Sequence, residues 1–152
     1  MSTQPSDIRA ERQLLQILAE FRYRLRSFLQ FSEQAAAQLK LHPQQHQLLL
    51  QVAGAPAGTS ATIAYAAERL ALRHHSTVEL VNRSVAGRLL LRTHDPQDRR
   101  RVILRTTAKG RRILKKLSLV HTQELRQLGP HLIGSLKRIE RPAPSRTQYR
   151  AR

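Results

Sequence analysis

The sequence contains no cysteine, which excludes disulfide bonds, thiolate metal sites and cysteine-based redox sensing. It also lacks any apolar run near the roughly 18 residues that a membrane-spanning helix needs. The N-terminal segment MSTQPSDIRAERQ has no apolar signal core. We therefore expect a cytoplasmic protein without a membrane partner.

Acidic residues are scarce. Ten Asp and Glu stand against 27 Lys and Arg among 152 residues, a formal charge of +17. Such a surface favours a polyanion, and arginine outnumbers lysine. Because the planar guanidinium suits phosphates and base edges, nucleic acid ranks ahead of an anionic membrane surface. With 40% hydrophobic residues, the chain fits one compact domain, or one domain with flanking helices that a second copy must cover.

Enzyme motifs are missing as well. The sequence has no P-loop, dinucleotide-binding glycine pattern, nucleophile elbow or metalloprotease motif, and its seven histidines are not spaced with acids for catalysis. The adjacent His74 and His75 would point about 100° apart on a helix, and no third ligand is near them. We predict no enzyme activity, no catalytic residue, no metal site and no cofactor.

Helical spacing of apolar residues predicts a long first helix from about Asp7 to Lys40, with a stripe of Leu14, Leu18, Phe21, Leu25 and Phe28. A domain this small cannot cover a helix of some thirty residues. We expect the stripe to meet a second copy of itself or of the C-terminal helices, although packing within one chain remains an alternative.

Three short helices should follow. The first begins at Pro43, the second covers residues 62–72 after the turn-rich GAPAGTS (54–60), and the third covers residues 73–87 with Gly87 near its end. Thr59, Ser60 and Thr62 could either cap the second of these helices or form a small third strand.

Residues 89–93 and 101–106 are β-prone and flank DPQDRR, so they predict a two-stranded hairpin with arginines at its tip. Beyond Thr107 the helical pattern returns, interrupted at Gly129-Pro130. The final RPAPSRTQYRAR has four arginines and no acid, and we expect it to be a disordered basic tail.

The run RLALRHHSTVELVNRSVAGRLLLRTHDPQDRRRVILRTTAKG, residues 69–110, resembles winged-helix regulators of the MarR type. The likeness is strongest where Asp98 and Arg100 precede a strand and Thr107 to Gly110 begin a helix. It implies a mainly α (α+β) fold: a winged helix-turn-helix with a two- or three-stranded wing sheet and a helical dimerisation region from the N- and C-terminal helices. The implied segments are dimerisation helices at 1–40 and 111–140, the winged helix at 41–110 and the basic tail at 141–152.

In such a fold the third short helix would lie in the major groove of double-stranded DNA and the wing in the minor groove. The resemblance implies that Asp98 braces Arg100, with two further wing arginines nearer the phosphates. A solvated charged hairpin of little consequence is the alternative. The candidate DNA-binding residues are Arg73, His74, His75, Ser76, Thr77, Glu79, Asn82, Arg83, Asp98, Arg99, Arg100 and Arg101.

The resemblance also implies an effector pocket for a small aromatic or phenolic molecule between the dimerisation helices and the DNA-binding lobe. Candidate lining residues are Tyr23, His42, His46, Tyr65 and His121. His121 also falls on an apolar stripe with Leu114 and Leu117, so a hydrogen-bonded packing role is the competing interpretation.

The chain departs from the family pattern at three positions. Gly87-Arg88 stands where a glycine usually precedes the first wing strand, so the exit from the recognition helix is expected to shift by a residue. Ser84 and Thr106 replace usually apolar residues.

The predicted function is a homodimeric transcriptional regulator, a repressor rather than an activator, on a pseudo-palindromic operator. The alternative is a nucleic-acid-binding protein without sequence preference, associated with the nucleoid or with RNA.

Overall fold

A computed structural model describes residues 5–96, 98 and 100–140. The predicted basic tail and Arg99 lie outside the described residues. The described chain contains helices α1 (Pro5–Gln38), α2 (Pro43–Ala53), α3 (Ile63–Leu70) and α4 (His74–Ala86), strands β1 (Leu90–His94) and β2 (Val102–Thr106), and helix α5 (Ala108–Glu140). This order confirms the predicted winged-helix fold class. Over these residues, no helix combines the length and apolarity that crossing a bilayer requires.

The described chain divides into two compact units, 32–121 and a second made of 5–31 with 122–140. The unit 32–121, called the winged-helix unit below, has a continuous apolar core. Its fully buried side chains come from α2, α3, α4, both strands and α5, and include Leu48, Leu49, Ala66, Leu80, Val81, Leu90, Leu104 and Leu117. This core determines which faces of α4 and of the hairpin remain in solvent.

Local sequence explains where the short helices begin. Pro43 occupies the first turn of α2, and the His42 ring nitrogen Nδ1 accepts a hydrogen bond from the Gln44 amide at 3.3 Å. Thr62 caps α3, since its hydroxyl accepts from the Tyr65 amide at 3.2 Å. Thr62 also forms an antiparallel bridge with Ile103. One residue therefore serves both roles that the sequence left open.

The two strands pair antiparallel, with Leu91 opposite Arg105 and Thr93 opposite Ile103. Leu90 and Leu104 are buried, whereas Leu91 and Arg105 are exposed. Because side chains alternate across a strand, one sheet face covers the core and the other is open. The predicted hairpin is confirmed, and the bridge at Thr62 adds a one-residue third strand to it.

The second unit is built from α1 up to Phe31 and α5 from Thr122. Leu128 and Ser135 are buried, but many apolar side chains are at least 38% exposed: Ile8, Leu14, Leu15, Leu18, Tyr23, Leu25, Leu29, Leu125, Ile133, Leu136 and Ile139. We refer to these eleven side chains as the apolar stripe. A solvent-exposed apolar surface of this extent is typical of an interface.

The expected interruption at Gly129-Pro130 is not present, because α5 continues through Pro130. The fixed φ angle of proline is compatible with a helix, although the ring removes one backbone hydrogen bond and crowds the carbonyl four residues before it. The C-terminal helical segment is therefore one helix rather than two.

Candidate nucleic-acid interface

Helix α4 has one buried and one exposed face. Thr77, Leu80, Val81 and Ser84 are buried at a spacing of three and four residues. The opposite face is exposed and polar, and it carries His75, Glu79, Asn82 and Arg83, with Arg73 and His74 exposed at the helix start. Ser76 is half-buried. The exposed side chains offer both donors and acceptors along one side of the helix.

Thr77 is a correction to the predicted contact set. Its side chain is fully buried, and its hydroxyl donates to the Arg73 carbonyl at 3.0 Å. The periodicity of α4 places residue 77 with Leu80, Val81 and Ser84, facing the core. Thr77 is therefore a core residue that cannot reach a ligand outside the helix.

Ser84 is buried in place of the usual apolar residue without leaving its hydroxyl unsatisfied. The Ser84 hydroxyl donates to the Leu80 carbonyl at 2.8 Å. A hydrogen bond within the same helix removes most of the cost of burying a polar group. This departure from the family pattern therefore leaves the packing of α4 intact.

Asn82 is held by a residue that the sequence did not single out. The Arg92 guanidinium on β1 donates from Nη2 to Asn82 Oδ1 at 2.5 Å. This bond ties the exposed face of α4 to the hairpin and orients the Asn82 amide. Alternation along β1 was the available signal, because it places Arg92 on the same sheet face as the buried Leu90.

The wing turn is organised by its two acids, but in a different way from the prediction. Asp98 accepts the Arg100 backbone amide at 3.0 Å with Oδ1 and so shapes the backbone, whereas it was expected to brace the Arg100 guanidinium. Among the described residues of the turn, it is the Arg101 guanidinium that lies near an acid, with its Nη1 3.5 Å from Asp95 Oδ2. Short Asp side chains in turns readily bond to backbone two residues ahead, which explains the difference.

Arg100 is exposed at the tip of this turn. The turn is closed at its base by the Asp95 amide, which donates to the Arg101 carbonyl at 3.0 Å. The structure thus presents Arg100 from a hydrogen-bonded turn.

The exit from α4 places a non-glycine residue in the left-handed region. Gly87 ends the helix, Arg88 has φ of 58°, and the Leu89 amide returns to the Ser84 carbonyl at 2.9 Å. This hydrogen bond from the Leu89 amide back to the last turn ends the helix through a residue in the left-handed conformation, a position that is usually glycine. The glycine of the family pattern is displaced by one residue, as expected, and Arg88 adopts the strained conformation.

The Thr107–Gly110 segment connects this exit to α5. The Thr107 hydroxyl contacts the carbonyl oxygens of Arg88 and Leu89 at 2.7 and 3.1 Å and accepts from the Gly110 amide at 3.0 Å. A Cβ on Gly110 would lie only 2.4 Å from the Leu89 carbonyl oxygen. The motif therefore allows two backbone segments to approach closely.

The five predicted pocket residues separate into different environments. His46 and His121 are both buried in the winged-helix unit and stack with ring centroids 5.0 Å apart. His42 is exposed and caps α2, and Tyr65 packs against the core. Tyr23 belongs to the other unit and is 65% exposed. Within the winged-helix unit, only His46 and His121 come together.

The buried histidine pair favours neutral rings. Burial, followed by the nearby His121, lowers the pKa of His46 to about 4. Burial also lowers the pKa of His121. Near neutral pH these rings are therefore uncharged, which agrees with a packing role.

Comparison with known proteins agrees with this architecture. The MarR family model matches residues 39–101, which cover α2 to α4 and the hairpin as far as its arginines. No curated protein matches. The three solved structures described next are each less than a fifth identical to this chain.

AbsC, a MarR family transcriptional regulator from Streptomyces coelicolor, is 16% identical with a TM-score of 0.62, over 93% of this chain and 94% of its own. A mutant MarR from E. coli complexed with operator DNA is 17% identical with a TM-score of 0.62, over 78% and 86%. CouR from Rhodococcus jostii RHA1, bound to p-coumaroyl-CoA, is 19% identical with a TM-score of 0.59, over 78% and 87%. These likenesses establish the shared fold.

Proposed function

We propose that this chain, which has a winged-helix fold and matches the MarR family model over residues 39–101, acts as a dimeric DNA-binding repressor of transcription. One observation carries this proposal: the winged-helix unit exposes the polar face of α4 together with the arginine-bearing turn of the hairpin. The formal charge of +17 gives these elements a long-range attraction to DNA.

Helix α4 is the recognition element of this proposal. Its 13 residues span about 20 Å, and the roughly 12 Å width of the major groove admits a helix. His75, Glu79, Asn82 and Arg83 would face base edges, with Arg73, His74 and Ser76 near the helix start. Because Arg92 occupies the carbonyl oxygen of Asn82, the Asn82 NH₂ group is the part left to read a base acceptor.

Arg100 is the proposed minor-groove residue. A narrow minor groove has an enhanced negative potential that favours an inserted arginine. The hydrogen-bonded turn reduces the backbone freedom that Arg100 would lose on binding. Arg101, which pairs with Asp95, would contact a phosphate, as would Arg99.

Dimerisation through the apolar stripe is the third part of the proposal. Covering these eleven side chains with a second copy would remove apolar surface from water. Two recognition helices related by a two-fold axis read half-sites about one helical turn apart, so we expect a pseudo-palindromic operator. A bound dimer would obstruct transcription from an overlapping promoter.

A small aromatic or phenolic effector would release the operator. The complex of CouR with p-coumaroyl-CoA supports this for a protein of the same fold. A thermal-shift screen with phenolic acids tests it separately, because a ligand that binds only the folded state raises the melting temperature. A screen without any stabilising compound would contradict the effector while leaving the DNA-binding proposal standing.

The decisive experiment selects bound fragments from genomic DNA and measures their affinities by fluorescence anisotropy at several salt concentrations, with a random duplex of equal length as control. We expect an inverted repeat and a preference for it that persists as salt rises. Equal affinity for selected and random duplexes at every salt concentration would contradict the proposal. It would favour the non-sequence-specific nucleic-acid binder that the charge alone also permits.

A further inference from the structure

The open face of the wing sheet borders a crevice of about 500 Å³ within the winged-helix unit. The residues important for its chemistry are Thr59, Ser60, Leu91, Ile103, Arg105 and Arg111, and we call it the wing crevice. Its volume falls in the range of small-molecule sites. None of the residues proposed above to contact DNA lines it.

The space exists because large and small side chains face each other across it. Strand alternation places Leu91, Ile103 and Arg105 on the sheet face opposite the core. The GAPAGTS loop, which turns through Gly58 at φ of 80°, contributes the small side chains of Ala55, Thr59 and Ser60 to the lining. The loop is held along β2 because the Leu104 amide donates to the Ala61 carbonyl at 2.8 Å. This backbone hydrogen bond fixes the position of the loop relative to β2 and so maintains the wing crevice.

The crevice carries two positive charges, from Arg105 on β2 and Arg111 in the first turns of α5, and none of its described lining residues is acidic. Arg111 donates from Nη1 to the Thr106 carbonyl at 2.7 Å, which orients its guanidinium. Among the described residues, neither arginine has an acidic partner within salt-bridge distance. Both guanidinium groups therefore retain N–H donors for an anion.

The rest of the lining is suited to an organic molecule rather than an inorganic ion. Leu91 is 39% exposed and Ile103 is half-buried, so apolar surface lies next to the two guanidinium groups. The hydroxyls of Thr59 and Ser60 add polar groups on the loop side. A small apolar molecule with one carboxylate could pair with the guanidinium groups, cover the apolar surface and accept hydrogen bonds from the loop hydroxyls.

We propose that the wing crevice binds a small organic carboxylate. Arg105 and Arg111 hold the carboxylate, and the apolar body covers Leu91 and Ile103. A bound molecule would contact the loop, β2 and the start of α5 together. Given the DNA-binding function proposed above, it would restrict the hairpin that presents Arg100 and thereby alter operator affinity.

Calorimetry with 2-naphthoate as the probe, in the absence of DNA, tests the site itself. The neutral 2-naphthamide and sodium sulfate are the comparison ligands. We expect naphthoate to bind, and Arg105→Gln and Arg111→Gln each to weaken its binding about tenfold through loss of a charge-assisted hydrogen bond. Arg112→Gln is the matched control, because Arg112 is exposed beside Arg111 but does not line the crevice.

Methyl NMR spectra recorded during the same titration locate the ligand, with the largest shifts expected at Leu91 and Ile103. Circular dichroism establishes that the variants are folded. The proposal is overturned by equal binding of naphthamide or sulfate, by equal losses in all three variants, or by shifts confined to other methyl groups. A loss of random-duplex affinity in Arg105→Gln and Arg111→Gln but not in Arg112→Gln would also overturn it, since the crevice would then belong to a nucleic-acid surface.

These measurements separate the two proposals. Naphthoate binding in a protein that selects no inverted repeat would leave the crevice assignment standing and contradict the repressor. Selection of an operator by a protein that does not bind naphthoate would support the repressor and contradict the crevice assignment. Anisotropy on the selected operator, with and without naphthoate, then measures the coupling between the sites.

Discussion

Gly110 illustrates how one residue secures the position of a whole helix. Its missing side chain allows the first turn of α5 to approach the Leu89 backbone. The Thr107 hydroxyl donates to the carbonyl oxygen of the same residue, Leu89. The T-x-x-G pattern was visible in the sequence, but the reason for its glycine was not. The neighbour that excludes a side chain is 21 positions away along the chain.

Replacing Gly110 with alanine should destabilise the protein by about 3 kcal/mol, because the new Cβ meets a backbone oxygen that cannot move aside easily. Urea denaturation followed by circular dichroism measures the change. Gly134→Ala is the control in the same helix: its Cβ meets nothing within 4 Å, and the substitution should stabilise by about 1 kcal/mol. A neutral Gly110→Ala would show that the close approach is not essential.

The stacked His46 and His121 pair makes stability depend on pH. An unfolded histidine has a pKa of about 6.5, whereas that of folded His46 is about 4. Between these values the unfolded chain binds more protons, so acid favours unfolding. The free energy of unfolding should therefore rise from pH 4 to about 6.5. Above pH 6.5 the contribution of His46 to the free energy of unfolding should change little.

Between pH 7 and pH 5 we expect the free energy of unfolding to fall by about 2 kcal/mol. His46→Leu should reduce this fall, measured by urea denaturation at both pH values. His131→Leu removes an exposed histidine of α5 and should leave the fall unchanged. An identical pH dependence in the wild type and His46→Leu would refute the assignment.

Among the elements, the hairpin shows the difference between predicting a structure and predicting its contacts. Both strands and the arginine-bearing tip followed from β-prone runs around a proline-containing turn. The pairing of acids with arginines did not follow, because the backbone geometry of the folded turn decides which carboxylate faces which guanidinium. The structure pairs Asp95 with Arg101 and leaves Asp98 to bond to the backbone.

Arg100→Ala should weaken operator binding by about 1–3 kcal/mol if Arg100 enters the minor groove. Arg150→Ala, in the segment outside the described residues, should mainly lower the salt dependence, by about one unit of slope. Fluorescence anisotropy on operator and random duplexes, across a salt series, measures both. Equal losses from the two variants on both duplexes would mean that the wing has no special role.

At the scale of the whole molecule, the contrast between the two units is informative. The winged-helix unit packs a continuous set of large apolar side chains into a buried core, with Leu91 among those left exposed, whereas the unit built from α1 up to Phe31 and α5 from Thr122 leaves the apolar stripe in solvent. The long-helix periodicity had already indicated a surface that a single chain cannot cover. The exposed apolar stripe is the observation behind our proposal that a second copy covers this surface.

Sedimentation velocity at micromolar concentration should show a dimer. Leu15→Glu places a charge in the apolar stripe, where the wild-type side chain is 59% exposed, and should raise the dimer dissociation constant at least about tenfold because burying the charge is costly. Gln30→Glu adds the same charge at an exposed polar position of α1 and should leave the dimer intact. A well-folded wild-type monomer would contradict the dimer.

The sequence by itself determined the elements: helical periodicity, proline and glycine positions and β-prone runs indicate their type from neighbours a few residues apart, and the charge indicates a polyanionic partner. Tertiary structure decided what each side chain contacts. It buried Thr77, carried α5 through Pro130, joined Arg92 to Asn82 and opened a crevice between Arg105 and Arg111. These outcomes depend on atoms from segments far apart along the chain, which come together only when the core is packed.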